Sequence, residues 1–140
     1  MPDVIVVQPG GGESISGGPS VRHVKVDIEG LHVTEYSVEA APMGDLHTHR
    51  RHADAFYVLE GELEVAVSET ETVVLLAGGF AAAPPGAVHA FAVPERARFL
   101  NIHGPGMSFA TYLREIVALR ERGKAPGREL FERFDMHLVD

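Results

Sequence analysis

The strongest constraint on this chain is a period-two alternation that recurs in short runs, each closed by turn-forming residues. Leu63, Val65 and Val67 alternate with Glu62, Glu64 and Ala66 between Gly61 and the turn Ser68-Glu69-Thr70-Glu71. Such a run has one apolar and one polar face, as a half-buried strand does. Upstream, Val24, Val26 and Ile28 alternate with Lys25 and Asp27, and Glu29-Gly30 separates them from Leu31, Val33, Tyr36 and Val38. These two runs read as a hairpin. Further strands are predicted over Leu46 to His49, Ala55 to Leu59, Thr72 to Leu76 and Phe80 to Ala83, then over Val88 to Val93 and Arg98 to Ile102 around a turn at Pro94-Glu95-Arg96. Strands this short and closely spaced predict an all-β sandwich or barrel.

The period changes only in the last quarter. Phe109, Tyr112, Leu113, Ile116, Val117 and Arg120 recur at helical spacing after Ser108, a suitable N-cap, and Gly123 and Pro126-Gly127 stop the helix. Leu130, Phe131 and Phe134 outline a second short helix. The first is expected to cover the barrel flank, a structural role. At the other end, the Gly-, Ser- and Pro-rich segment 9–20 is expected to hold no regular element, because glycine costs backbone entropy and proline lacks a donor. The predicted organisation is a flexible arm over 1–20, a barrel over 21–105 and a helical extension over 106–140.

At 140 residues the chain is the size of one domain, and its apolar stretches fall short of the ~18 residues that a bilayer span needs. Met1-Pro2-Asp3 lacks the features of a secretory signal, so a cytoplasmic location is the expectation. Without cysteine, any metal must be held by imidazole and carboxylate groups. A net charge of -8 would repel phosphate backbones, which argues against nucleic acid as a partner.

Eight histidines is a large number for this length, and four of them lie between Leu46 and Ala90. His47 and His49 are two apart on a predicted strand, so both imidazoles project the same way and can meet one ion. They stand in the frame Gly44-Asp45-Leu46-His47-Thr48-His49-Arg50-Arg51-His52-Ala53-Asp54-Ala55-Phe56-Tyr57-Val58-Leu59-Glu60-Gly61. Gly78, Pro84-Pro85-Gly86 and His89 follow. This resembles both signature motifs of the cupin family: His-x-His, then an acid and an aromatic-Val-Leu-x-Gly strand; and Gly, five residues, Pro-x-Gly, two residues, His.

The resemblance spans roughly residues 20 to 105. It implies a double-stranded β-helix, a jelly-roll barrel, whose mouth holds one metal through His47, His49 and His89, with Gly61, Gly78 and Gly86 at tight turns. Asp54 stands where the family usually has Glu, and its side chain is shorter by ~1.5 Å. Direct ligation, ligation through water and no ligation by Asp54 are all open, with His52 as a substitute. Otherwise His52 reads as a solvated loop residue beside Arg50-Arg51. His103 either points into the barrel mouth or ends a strand before Gly104-Pro105-Gly106. His23, His32 and His137 read as ordinary surface or strand positions, and Tyr36, Phe56, Val58, Leu76 and Phe91 as cavity lining or plain core.

A donor set of imidazoles and one carboxylate suits Fe, Mn, Ni, Cu, Co or Zn rather than Ca or Mg. By resemblance the chain is expected to be a metal-dependent enzyme of quercetin-dioxygenase-like type acting on a small organic molecule. Asp54 and His103 are its catalytic candidates, Asp54 as ligand or general base. The alternatives are a non-catalytic metal- or ligand-binding module and a metal-dependent isomerase or lyase. A homodimer that uses the N-terminal arm is expected, since the family pairs barrels through sheet edges that would otherwise be a liability.

Overall fold

The chain forms β1 (Glu13–Gly17), β2 (Ser20–Ile28), β3 (Leu31–Ala41), β4 (His47–Thr48), β5 (Ala53–Gly61), β6 (Leu63–Ala66), β7 (Thr72–Leu75), β8 (Phe80–Ala83) and β9 (Ala90–Gly104). Helices α1 (Phe109–Glu121) and α2 (Arg128–Arg133) and the short strand β10 (His137–Leu138) follow. The structure, a computed structural model, describes residues 1–140. No helix is long and apolar enough to cross a membrane.

Strand β9 organises the sheets. Its C-terminal part lies between β3 and β5 in the antiparallel order β1-β2-β3-β9-β5-β8. Its first residues, Ala90 to Ala92, pair instead with β6, which pairs in turn with β7. One strand thus serves both sheets of the expected double-stranded β-helix. The predicted turn at Pro94 is absent: β9 runs unbroken from Ala90 to Gly104. Pro94 falls at the register shift between the pairs Ala41↔Val93 and Glu39↔Arg96. A residue without an N–H is tolerated there because no regular ladder needs its donor.

Registry across β3, β9 and β5 sets one inward face of graded polarity. Tyr36, Phe99 and Val58 form one row, Thr34, Asn101 and Phe56 the next, and His32, His103 and Asp54 the last. The first row belongs to the apolar core, with Val58 and Phe99 fully buried. The last row is polar and buried. Glycine is required where β5 turns: Gly61 has φ +76°, and a Cβ there would collide with the Arg96 carbonyl.

The ends of the chain depart from expectation. Glu13–Gly17 was expected to hold no regular element, yet it forms β1, paired over five residues with β2, and buries Ile15 in the core. Gly18, at φ +55°, makes the hairpin turn, so the glycines shape the hairpin rather than prevent it. Helix α1 is capped by Ser108, whose Oγ accepts from the Thr111 N–H, and it buries Phe109, Tyr112, Leu113 and Ile116 against the barrel. After α2 the chain returns along β4, pairing His137 with Thr48 and Leu138 with His47.

Candidate metal centre

Three segments bring His47, His49, Asp54 and His89 together: β4 with the residue after it, β5, and the turn before β9. Strand β4 carries His47, and His49 follows it one residue on. His47 and His89 form a two-way backbone bridge, N–H to O at 3.1 and 3.0 Å, and the Gly86 N–H donates to the His49 carbonyl at 2.7 Å. The turn of the second motif is thereby tied directly to the histidines of the first. Asp54 comes from β5 in the row with His103. One ligand atom from each of His47, His49, Asp54 and His89 lies within 4.8 Å of all the others.

Each of the three histidines is locked by its own Nδ1. His47 Nδ1 donates to the Asp45 carbonyl at 2.8 Å, His49 Nδ1 to the Asp135 carbonyl at 2.9 Å and His89 Nδ1 to the Ala87 carbonyl at 3.0 Å. A carbonyl oxygen can only accept, so the proton is on Nδ1, and a neutral ring then presents a bare lone pair at Nε2. His49 Nε2 and His89 Nε2 lie 3.2 and 2.9 Å from Asp54 Oδ2. An ionised carboxylate also only accepts. With neutral rings, lone pairs face the carboxylate at contact distance, an arrangement satisfied by a metal ion between them or by a second proton on the ring.

The spacing fits a metal ion. Neighbouring ligands about 2.1 Å from one ion stand about 3.0–3.4 Å apart in octahedral or tetrahedral arrangement, close to the separations between Asp54 Oδ2 and the two imidazoles. The shorter Asp54 side chain thus reaches the same point as His49 and His89. Burial pulls the Asp54 carboxyl up, but the charge of His103 and the hydrogen bonds from His49 and His89 outweigh it and hold the group well below the usual carboxylate range. Burial pushes His47 down to about 4, favouring the neutral ring that can ligate. For His89 burial also acts downward, and the Asp54 contact outweighs it and raises the group.

Behind the four lies a buried chain of hydrogen bonds. Asn101 Nδ2 donates to Asp54 Oδ1 at 2.6 Å and to the Ala55 carbonyl at 3.2 Å, which turns its Oδ1 toward His103 Nε2 at 2.8 Å. His103 Nδ1 meets His52 Nε2 at 3.0 Å, and His52 Nδ1 donates to Asp135 Oδ2 at 2.8 Å. His52 is 1% exposed, which overturns the reading of a solvated loop residue. Its companion is the Asp135 carboxylate, which also accepts the Arg50 and Arg51 backbone N–H groups. Both nitrogens of His52 and both of His103 are occupied within this chain, and His103 also stacks on Phe109 with ring centroids 4.2 Å apart. Although His49, His52 and His103 also cluster, both nitrogens of His52 and of His103 are taken up by one another and by Asp135 and Asn101, and His49 Nε2 faces Asp54.

Reading the sequence missed Asp135 and Asn101. Asp135 adopts left-handed backbone, φ 58°, after α2, and lies 86 residues from the His49 it supports, with no motif to mark it. Asn101 did carry a signal: it shares the inward parity of Phe99 and His103. Helix α1 covers the barrel flank as expected, while Asp135, beyond α2, reaches His49 and His52. Burial pulls the Asp135 carboxyl up, but the Arg51 and Arg50 N–H groups, His52 and His137 lower it to about 2.

Three cavities adjoin this cluster. The largest, about 510 Å³, lies at the outer end of the hydrogen-bond chain, against His52 and Asp135. A second, about 350 Å³, reaches His47 between the barrel and the C-terminal helices, lined among others by Phe91, Tyr112, Arg120 and Phe131. A third, about 70 Å³ and almost wholly apolar, reaches His89 from the side of Phe56 and Val65.

Residues 35–103 match the family described as the cupin domain. A solved RmlC-like cupin from Shewanella frigidimarina shares 26% identity at a TM-score of 0.63, covering 71% of this chain and 90% of its own. An uncharacterised conserved protein with a double-stranded β-helix domain from Klebsiella pneumoniae shares 27% at 0.58, covering 66% and 78%. The polyketide cyclase RemF from Streptomyces resistomycificus shares the fold, at 20% identity and 0.55, covering 68% and 69%. No curated protein sequence matches the chain. The paired motifs, the two sheets joined by β9 and the match over 35–103 together support a cupin-superfamily barrel in this chain.

Proposed function

We propose that this chain is a metal-dependent cupin enzyme, of the quercetin-dioxygenase-like type, in which His47, His49, His89 and Asp54 hold one divalent transition metal. The observation that carries this reading is the convergence of imidazole Nε2 lone pairs on Asp54 Oδ2 with every Nδ1 already committed to a backbone carbonyl. Donors of this kind suit Fe, Mn, Ni, Cu, Co or Zn. When bound, such an ion would supply Lewis-acid polarisation of a substrate oxygen and redox chemistry if it is a redox-active metal.

The residues supply orientation and exclusion. Carbonyl clamps on His47, His49 and His89 fix tautomer and ring direction before anything binds. Asn101 holds the Asp54 carboxylate, leaving Oδ2 toward the imidazoles, and His103 and His52 hold Asn101 in turn back to Asp135. His103 is therefore a positioning residue that acts through Asn101, and Asp54 a ligand rather than a free base. The cavity at His47 is large enough for a small organic substrate. A smaller apolar space adjoins His89 on the side of Phe56 and Val65.

Oxygen uptake tests the reaction class. Metal-replete protein is expected to consume dioxygen with at least one of a flavonol, a diketone or a thiol substrate, and no uptake with any of them would remove the oxygenase reading. Asn101→Ala is expected to weaken cobalt(II) binding about ten- to a hundred-fold by releasing Asp54, as loss of partners behind ligands does. An unchanged affinity in that titration would show that Asp54 keeps its place unaided. We also propose a homodimer built along the open edge of β1, the outermost strand. Light scattering at micromolar concentration should return twice the 15.1 kDa chain mass, and a clean monomer would exclude it.

A further inference from the structure

Arg22 on β2 is 9% exposed, and its Nε and Nη1 are buried without a hydrogen-bond partner. The chain has 20 acidic residues against 12 Lys and Arg, yet no ion pair joins Arg22 to any of them. Tyr36 lies against it, with its ring centroid 5.4 Å from the guanidinium carbon. A buried guanidinium with idle donors is costly, and such a group persists where something else completes it.

The surroundings indicate what that is. Ser20 and Arg22 are two apart on β2 and so share a face, as their partners Val38 and Tyr36 do on β3. Ser20 and Val38 line the 350 Å³ cavity that reaches His47, and Arg22 with its partner Tyr36 stands one residue pair beyond that lining, behind the wall. A second guanidinium converges there. Arg22 Nη1 and Arg120 Nη1 lie 3.3 and 3.7 Å from the position a Cβ would take on Gly17, and Arg120 lines the cavity from its exposed end. Burial pushes the intervening Tyr112 phenol up to about 12, with the charges of Arg120 and Arg22 both acting to lower it. In a chain of net charge -8, two neighbouring guanidiniums that are paired with no carboxylate favour an anion, and the one carboxylate in the cavity lining, Asp45, stands beside His47.

We propose that this cavity binds an organic anion, a small molecule carrying a carboxylate, with the carboxylate on Arg22 and Arg120 and its other end directed toward His47. The inference deepens the metal-enzyme reading and rests on it for the identity of the reacting end. Arg22 acts as a specificity-determining residue: it selects charged over neutral substrates, because a carboxylate pairs its charge and accepts from two N–H groups, whereas a neutral carbonyl gives only uncharged hydrogen bonds.

Benzoate and its uncharged analogue benzamide test this in ¹⁵N-edited NMR titrations that follow arginine Nε–H signals, run beside elemental analysis of the same samples. Benzoate is expected to saturate and shift the Arg22 Nε–H signal, with benzamide binding at least tenfold more weakly. Arg22→Met should weaken benzoate about ten- to a hundred-fold while metal content stays unchanged and the ligand-free melting temperature does not fall. Arg120→Gln, at an exposed position that leaves folding intact, should weaken benzoate several-fold. Equal binding of benzoate and benzamide, or benzoate binding unaltered in Arg22→Met and Arg120→Gln, overturns the proposal. Selective benzoate binding by a protein without metal would uphold the anion site and remove the metal reading. A full metal complement without charge selectivity would do the reverse.

Discussion

His89→Ala is expected to reduce cobalt(II) affinity roughly a hundred- to a thousand-fold. A four-ligand metal site contributes on the order of 10–16 kcal/mol, or about 2.5–4 kcal/mol for each ligand. The substitution removes the ring that lies 2.9 Å from Asp54 Oδ2 but leaves the backbone bridge between positions 47 and 89 able to form. Calorimetric titration of the variant against the wild-type protein checks the value, and circular dichroism checks that the barrel is retained. An affinity within threefold of wild type would mean that His89 does not ligate.

Phe99→Ala should produce the largest loss of stability, about 3–5 kcal/mol and a fall of roughly 10–15 °C in melting temperature. Phe99 is fully buried at the centre of β9, stacked on Tyr36 with centroids 5.0 Å apart and in contact with Phe91 and Phe56 at 5.5 and 6.1 Å. No neighbouring strand can close the gap without breaking registry with β3 and β5 on either side. Phe80→Ala is the control: that ring is 57% exposed on β8, and its removal should change stability by no more than about 0.5 kcal/mol. Similar losses in the two variants, measured by urea denaturation, would contradict this placement of the core.

The barrel was legible because its signals are local. Alternation at Leu63 and Val65, the turn at Gly61 and the helical spacing from Phe109 to Ile116 each involve residues within a few positions of one another. The histidines His47, His49 and His89 were legible because the spacing of two motifs, rather than any single residue, carries them. What escaped depends on contacts distant in the chain. Pro94 reads as a turn unless the register shift against β3 is known, and Glu13–Gly17 reads as a loop until β2 supplies its hydrogen bonds. His52, beside two arginines, looks solvated. It is buried because Asp135, 83 residues later, occupies the space beside it. Asn101 could have been found by following the inward parity of β9, as could the orphaned Arg22 on the face shared with Ser20.

The central claim is that His47, His49, Asp54 and His89 together hold a metal ion. Elemental analysis by mass spectrometry tests it most directly, on untagged protein purified without metal-affinity resin, beside the His47→Ala/His49→Ala double variant. About one equivalent of Fe, Mn, Ni, Cu, Co or Zn per chain, absent from the double variant, is the expected result. No bound metal in the wild-type protein even after reconstitution, or equal metal in both proteins, would contradict the claim.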